Sequence, residues 1–223
     1  MKKTISTIIL FFVFSNGALA AKEPTVDTIA KDISSKTNHN LKPKVIRLAI
    51  EAFYRAKQTG VNIKRPILTV IDYTLASTQK RLWVVDLERR QILHTSLVAH
   101  GKYSGENYTT SVSNRIGSLQ TSVGLFLTED TYFGRDGYSL HLQGLEEGFN
   151  DQAKVRTIVL HGAPYVNEKF AAVAGRIGRS WGCPAVEKPL AKPIINTIKD
   201  GTLIFSFYDH PQWLKQSKFL NQA

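Results

Sequence analysis

The sequence predicts a mainly β domain, paired mostly antiparallel, with a helix in front of it and a helix–strand unit at its end. Three observations carry that expectation. From Pro66 onward the apolar period is two, in segments rich in β-branched and aromatic residues separated by turn residues. Helical spacing is concentrated before the first strand and before the last. The strands between follow one another without a helix between each pair, so alternating βαβ units are excluded. The length of 223 residues, 43% hydrophobic and 21% charged, suits one globular domain and excludes a collagenous, low-complexity or wholly disordered chain. At this size roughly 70% of the unfolded chain's surface can be buried, so no staple is needed. A single Cys excludes a disulfide scaffold and a Cys-based zinc cluster.

Taken in order, residues 1–20 read as an address. Met1-Lys2-Lys3 supplies a basic start, Ile5 through Phe14 an apolar run, and Ala18-Leu19-Ala20 a small-residue cleavage site. The run falls short of the roughly 20 residues of a spanning helix, and no Cys stands at the cleavage site to carry lipid. The expectation is export to periplasm or cell wall, cleavage after Ala20 and no membrane anchor thereafter. The formal charge is +11 for the whole chain and, without Lys2 and Lys3, +9 for the exported one. That surface favours anionic partners, and export excludes nucleic acid as a sensible one.

Residues 21–64 form a lead-in, loose or weakly helical to about residue 40. A better helix follows over 43–58, with Val45, Leu48, Ala49, Ala52, Phe53 and Ala56 at three- and four-residue spacing. Residues 65–223 are the main domain. Strands are expected at 67–73, 81–87 and 91–99, the last two forming a hairpin about Glu88-Arg89-Arg90. Further strands are expected at 122–127, 138–143, 155–160 and 202–208, with a helix at 188–199. Two long connections remain, residues 100–121 and the stretch from His161 to Cys183. A long loop inside a compact domain is usually functional.

Export sharpens the reading of Cys183. In an oxidising compartment a lone thiol is either buried and inert or put to work. Its setting, Gly178-Arg179-Ser180-Trp181-Gly182-Cys183-Pro184, is turn chemistry. A thiol needs a base, and His161 at the expected end of the 155–160 strand is placed to serve. Arg176 and Arg179 would lower the thiol pKa if they lie close in space. Gly182 permits a tight turn in which its N–H and that of Cys183 point at a developing oxyanion. Tight metal-ligand spacing such as H-E-x-x-H is absent from the sequence, so neither metal nor cofactor is expected.

The His-Gly pair followed by Ser-x-Gly-Cys-Pro resembles the murein L,D-transpeptidase catalytic-domain family. The likeness extends through Val98-Ala99-His100-Gly101-Lys102, Ser113-Asn114, Gly137-Tyr138-Ser139-Leu140, Gly144-Leu145-Glu146 and Gly148-Phe149-Asn150, covering about residues 65–208. The resemblance implies a sandwich-like antiparallel catalytic domain acting on peptidoglycan stem peptides. Cys183 would be the nucleophile, His161 the base and Ser180 a hydrogen-bonding brace. The donor tetrapeptide would lose its terminal D-amino acid to a thioester, which a second stem's amine converts to a 3-3 crosslink. His100, Asn114, Tyr138, Arg179 and Trp181 are candidate substrate contacts, against packing or turn roles for the same residues. Two departures stand out: many relatives carry His where Trp181 stands, and Arg or Asn where Ala185 stands. The resemblance also implies acylation of Cys183 by carbapenems. The same thioester would serve an L,D-carboxypeptidase, with water as acceptor, and a non-catalytic peptidoglycan-binding module is the alternative of another class.

Overall fold

The computed structural model describes residues 24–38 and 40–221. The expected signal peptide and His39 therefore lie outside the described residues. Elements run α1 (Val26–Ser35), α2 (Pro43–Gln58), β1 (Ile67–Asp72), β2 (Leu82–Asp86), β3 (Gln91–Ser96), β4 (Val98–Ala99), β5 (Gly124–Gly134) and β6 (Gly137–Gly144). They continue with β7 (Val159–Ala163), α3 (Glu168–Ala174), β8 (Ala185–Glu187), α4 (Lys188–Ile198), β9 (Leu203–Phe207) and α5 (Pro211–Gln216). Among the described residues no helix is long and apolar enough to cross a membrane.

One nine-stranded sheet runs in the order β3-β2-β1-β9-β5-β6-β7-β8-β4. The fold is mainly β as expected, but the pairing is mixed, because β1 with β9 and β7 with β8 run parallel. Parallel neighbours need a long crossover; between β7 and β8 it is the connection that contains α3. The strand expected over 91–99 is divided at Leu97. There Ser96 Oγ donates to the Leu97 carbonyl and Leu97 N donates to Glu187 Oε2 at 3.2 Å. β3 and β4 stand at opposite ends of the strand order yet are joined by Leu97 alone. A one-residue link requires the sheet to curl until its two ends meet.

The central strands are buried on both faces, and their alternation sorts side chains between two cores. Leu68, Val70, Trp83, Val85, Leu203, Phe205 and Phe207 join a cluster with residues of α1, α2 and α5. Ile67, Ile71, Leu82, Val84 and Ile204 face the other way, with Ile194, Ile195 and Ile198 of α4. A period of two on an unbroken apolar strand gives this result.

The lead-in is more regular than its polar sequence indicates. α1 forms because Ile29, Ala30 and Ile33 share one buried face and Thr25 caps it by accepting from Thr28 N. The strand expected at 155–160 is displaced toward the C-terminus. Residues 150–157 are a turn closed by Arg156 N to Gln152 O at 2.9 Å and Ile158 N to Ala153 O at 2.9 Å. His161 therefore lies inside β7, between Ser139 of β6 and Ala185 of β8, and not at a strand's end.

Candidate active site

Cys183 opens onto a cavity of about 450 Å³ that is also lined by His161, Thr157, Arg156, Tyr165 and Trp181. The register that pairs His161 with Ala185 places it alongside the segment carrying the thiol, and His161 N donates to Pro184 O at 3.4 Å. The His161 ring is buried, with Nδ1 3.2 Å from the Gly162 carbonyl. A carbonyl only accepts, so Nδ1 carries the proton and Nε2 the lone pair. That tautomer is the one a general base requires.

The turn before the thiol is closed by Ser180. Its hydroxyl donates to the Cys183 carbonyl at 2.6 Å and accepts from Gly182 N at 3.1 Å. The Gly182 N–H, expected to aim at an oxyanion, is thus committed to Ser180 in this structure. Gly182 holds φ +124°, and a Cβ there would sit 2.9 Å from the Gln120 carbonyl; only glycine fits. The Ser180 backbone is clamped to the loop after β4, donating to His100 O at 3.0 Å and accepting from Lys102 N at 2.7 Å.

Cys183 Sγ donates to the Thr157 carbonyl at 3.6 Å. Thr157 adopts φ +52°, a conformation that costs a β-branched residue about 1–3 kcal/mol. Burial pushes the Cys183 thiol above its ordinary pKa, and Asp136 adds to the rise. The N–H groups of Val159 and Cys183 and the Arg156 guanidinium pull the other way. The resting group is therefore a thiol.

Arg156, Asp136 and Tyr165 were not legible as site residues. Arg156 lay within an expected strand, and Asp136 in an Arg-Asp-Gly turn that reads as an ordinary hairpin signal. Arg156 ties down the long 100–121 loop: Nη1 donates to Ser113 O at 2.7 Å and Nη2 to Gln120 O at 2.6 Å. The expected thiol-activating cations are engaged elsewhere. Arg179 pairs with Glu106 at 2.6 Å and Arg176 with the same carboxylate at 3.0 Å, although Arg179 still lines the cavity. Trp181 is 64% exposed at the cavity's edge with the Arg135 guanidinium 5.3 Å above its ring.

Three sequence-selected residues lie outside this cavity. His100 is buried, with Nδ1 2.8 Å from Arg81 Nη2 and Nε2 3.2 Å from Gly105 O. Burial first, then the Arg81 charge, push its pKa down to about 4. It is a neutral brace beneath the loop. Tyr138, beside Ser139 on β6, donates to Asn196 Oδ1 at 2.9 Å. Asn114 donates to Asp151 Oδ1 at 2.8 Å and lines a second cavity of about 670 Å³. Among the described residues no group of three or more His, Cys, Asp or Glu is placed to hold a metal.

Residues 37–207 match the family model described as the L,D-transpeptidase catalytic domain. No curated protein matches the chain. Solved structures are similar at low identity. An L,D-transpeptidase from Mycobacterium smegmatis is 13% identical, with 64% of this chain and 59% of that one covered at a TM-score of 0.40. An L,D-transpeptidase from Stackebrandtia nassauensis is 16% identical over 82% of this chain and 78% of that one, TM-score 0.38. The Mycobacterium tuberculosis L,D-transpeptidase 1 is 13% identical over 64% and 62%, TM-score 0.36. The chain thus spans less than two thirds of the length of the mycobacterial proteins.

Proposed function

The chain belongs to the L,D-transpeptidase catalytic-domain family, and on that premise we propose that it is an exported cysteine acyltransferase acting on peptidoglycan tetrapeptide stems. The observation that carries the reading is the shared cavity: Cys183 and His161 face one space, and the His161 tautomer leaves Nε2 free to accept a proton.

His161 Nε2 takes the thiol proton as Cys183 Sγ attacks the carbonyl carbon of the third stem residue. Charge develops on the carbonyl oxygen, where a preorganised backbone donor would stabilise it. The tetrahedral centre collapses, the bond to the terminal D-amino acid breaks, and His161 returns its proton to the leaving amine. A second stem's side-chain amine then attacks the thioester and gives up a proton to His161. The carbon–sulfur bond breaks, the thiol is restored and a 3-3 crosslink remains. Ser180 does not touch the reacting atoms; it holds the Gly182–Cys183 turn in shape.

The deciding experiment is mass spectrometry of products from purified disaccharide-tetrapeptide, with Cys183→Ala in parallel. Crosslinked dimer lacking one terminal D-Ala, absent from the variant, is the expected result. Tripeptide alone would make the enzyme a carboxypeptidase. Unchanged substrate with both proteins would replace an enzyme with a binding module.

A further inference from the structure

A second cavity is larger than the one that holds the thiol. It measures about 670 Å³ and adjoins the Cys183 cavity across Ile116, which is 65% exposed and lines both. Phe149 and Val123 give it an apolar floor, and Asn114, Gln152, Gln212 and Gln216 an amide rim. Its outer wall is α5, which lies beyond the residues 37–207 matched by the family model. That wall is fixed: Trp213 is fully buried, and its Nε1 donates to Glu146 Oε2 at 3.0 Å. The inner rim is fixed too, since Asn114 Oδ1 accepts from Gln152 N at 3.2 Å. His210 Nδ1 accepts from Trp213 N at 3.1 Å, so its neutral ring keeps Nε2–H as a donor at the cavity.

We propose that this second cavity is a sugar subsite, which takes the N-acetylated disaccharide carrying the donor stem. The inference rests on the reading that peptidoglycan stems are the substrate, and it adds a glycan grip to a peptide grip. Side-chain amides both donate and accept, which matches hydroxyl and acetamido groups. An aromatic ring on an apolar floor suits the C–H face of a pyranose, and a few convergent polar groups over such a floor are the usual make-up of a ligand pocket. Arg115 and Glu147 bring one charge of each sign to the rim, so the cavity is not built for a polyanion. Three extended stem residues separate the reacting carbonyl from the sugar by about 10 Å, and Ile116 lines both the cavity of Cys183 and the adjoining one.

The test uses the full chain with Gln212→Ala and Gln216→Ala combined. Both residues are exposed on α5, and alanine favours helix. The readout is the ratio of kcat/KM for disaccharide-tetrapeptide over bare tetrapeptide. Losing two hydrogen-bonding amides is expected to lower that ratio by about threefold to tenfold, through KM rather than kcat. An unchanged ratio would overturn the subsite. Separately, the Cys183→Ala chain is titrated with the peptide-free disaccharide and followed by amide NMR. Shifts at Phe149, Gln152 and α5 are expected; shifts confined to Leu119 and Trp181 would place the sugar in the thiol cavity and refute the proposal. The titration needs no turnover, so it separates failure of the subsite from failure of the enzymatic reading.

Discussion

Acid should weaken this protein through His100, by an amount the structure allows to be worked out. The ring is 1% exposed, accepts from Arg81 at Nδ1 and donates to Gly105 O from Nε2. Protonating Nδ1 would set two cations face to face in a buried site, because the fully buried Arg81 holds its own charge against the Val98 and Leu75 carbonyls. The folded pKa is pushed down to about 4 from an ordinary value near 6.5. A base with a depressed folded pKa takes up its proton first in the unfolded chain. Its contribution is therefore complete above pH 6.5, declines as pH falls and is gone below about 4. A gap of this size corresponds to about 3 kcal/mol. Other groups titrate in the same window, so the test is a difference of differences. Urea unfolding of wild type and His100→Asn is measured at pH 7.5 and pH 4. Asn cannot take the proton, so its deficit at pH 7.5 should shrink, or reverse, by about 3 kcal/mol at pH 4. A deficit of equal size at both pH values would refute the reasoning. The consequence reaches the site, since the His100 carbonyl holds Ser180 N.

Three further outcomes are expected. Ser180→Ala removes the hydroxyl that joins Gly182 N–H to the Cys183 carbonyl, and should cost about 1–3 kcal/mol in urea stability and lower kcat more than it raises KM. Iodoacetamide labelling of Cys183 across pH should respond in opposite directions to two variants. Arg156→Gln should move the profile to higher pH and Asp136→Asn to lower pH, because the first removes a charge favouring the thiolate and the second one opposing it; equal shifts in one direction would discard this electrostatic account. Glu146→Ala strips the partner from Trp213 Nε1 and Leu125 N, both buried. About 2–5 kcal/mol should be lost, read from the urea midpoint, with the far-UV spectrum retained in buffer.

What could be read from the sequence divides along a physical line. Period and turn chemistry are local, and they located β1, β2, β6, β9, α2 and α4. The mixed pairing is not local: β1 meets β9 because the sheet gathers the two ends of the domain, and no window of residues records that neighbour. Cys183 and His161, singled out by residue type and setting, and Ser180, singled out by the resemblance, line one cavity. The electrostatics were not legible, because they depend on which cation the fold delivers. Sequence proximity favoured Arg176 and Arg179, yet Glu106 engages both, while Arg156 comes from another segment to reach both the loop and the sulfur's surroundings. His100 shows the same division from the other side. The resemblance offered it as a substrate contact, but it lies outside the cavity, in the buried Arg81 network, with its carbonyl accepting from Ser180 N. A histidine pinned between a guanidinium and a carbonyl has no lone pair left for catalysis, whereas His161 keeps one at Nε2 in the cavity that Cys183 also lines, as the proposed mechanism requires.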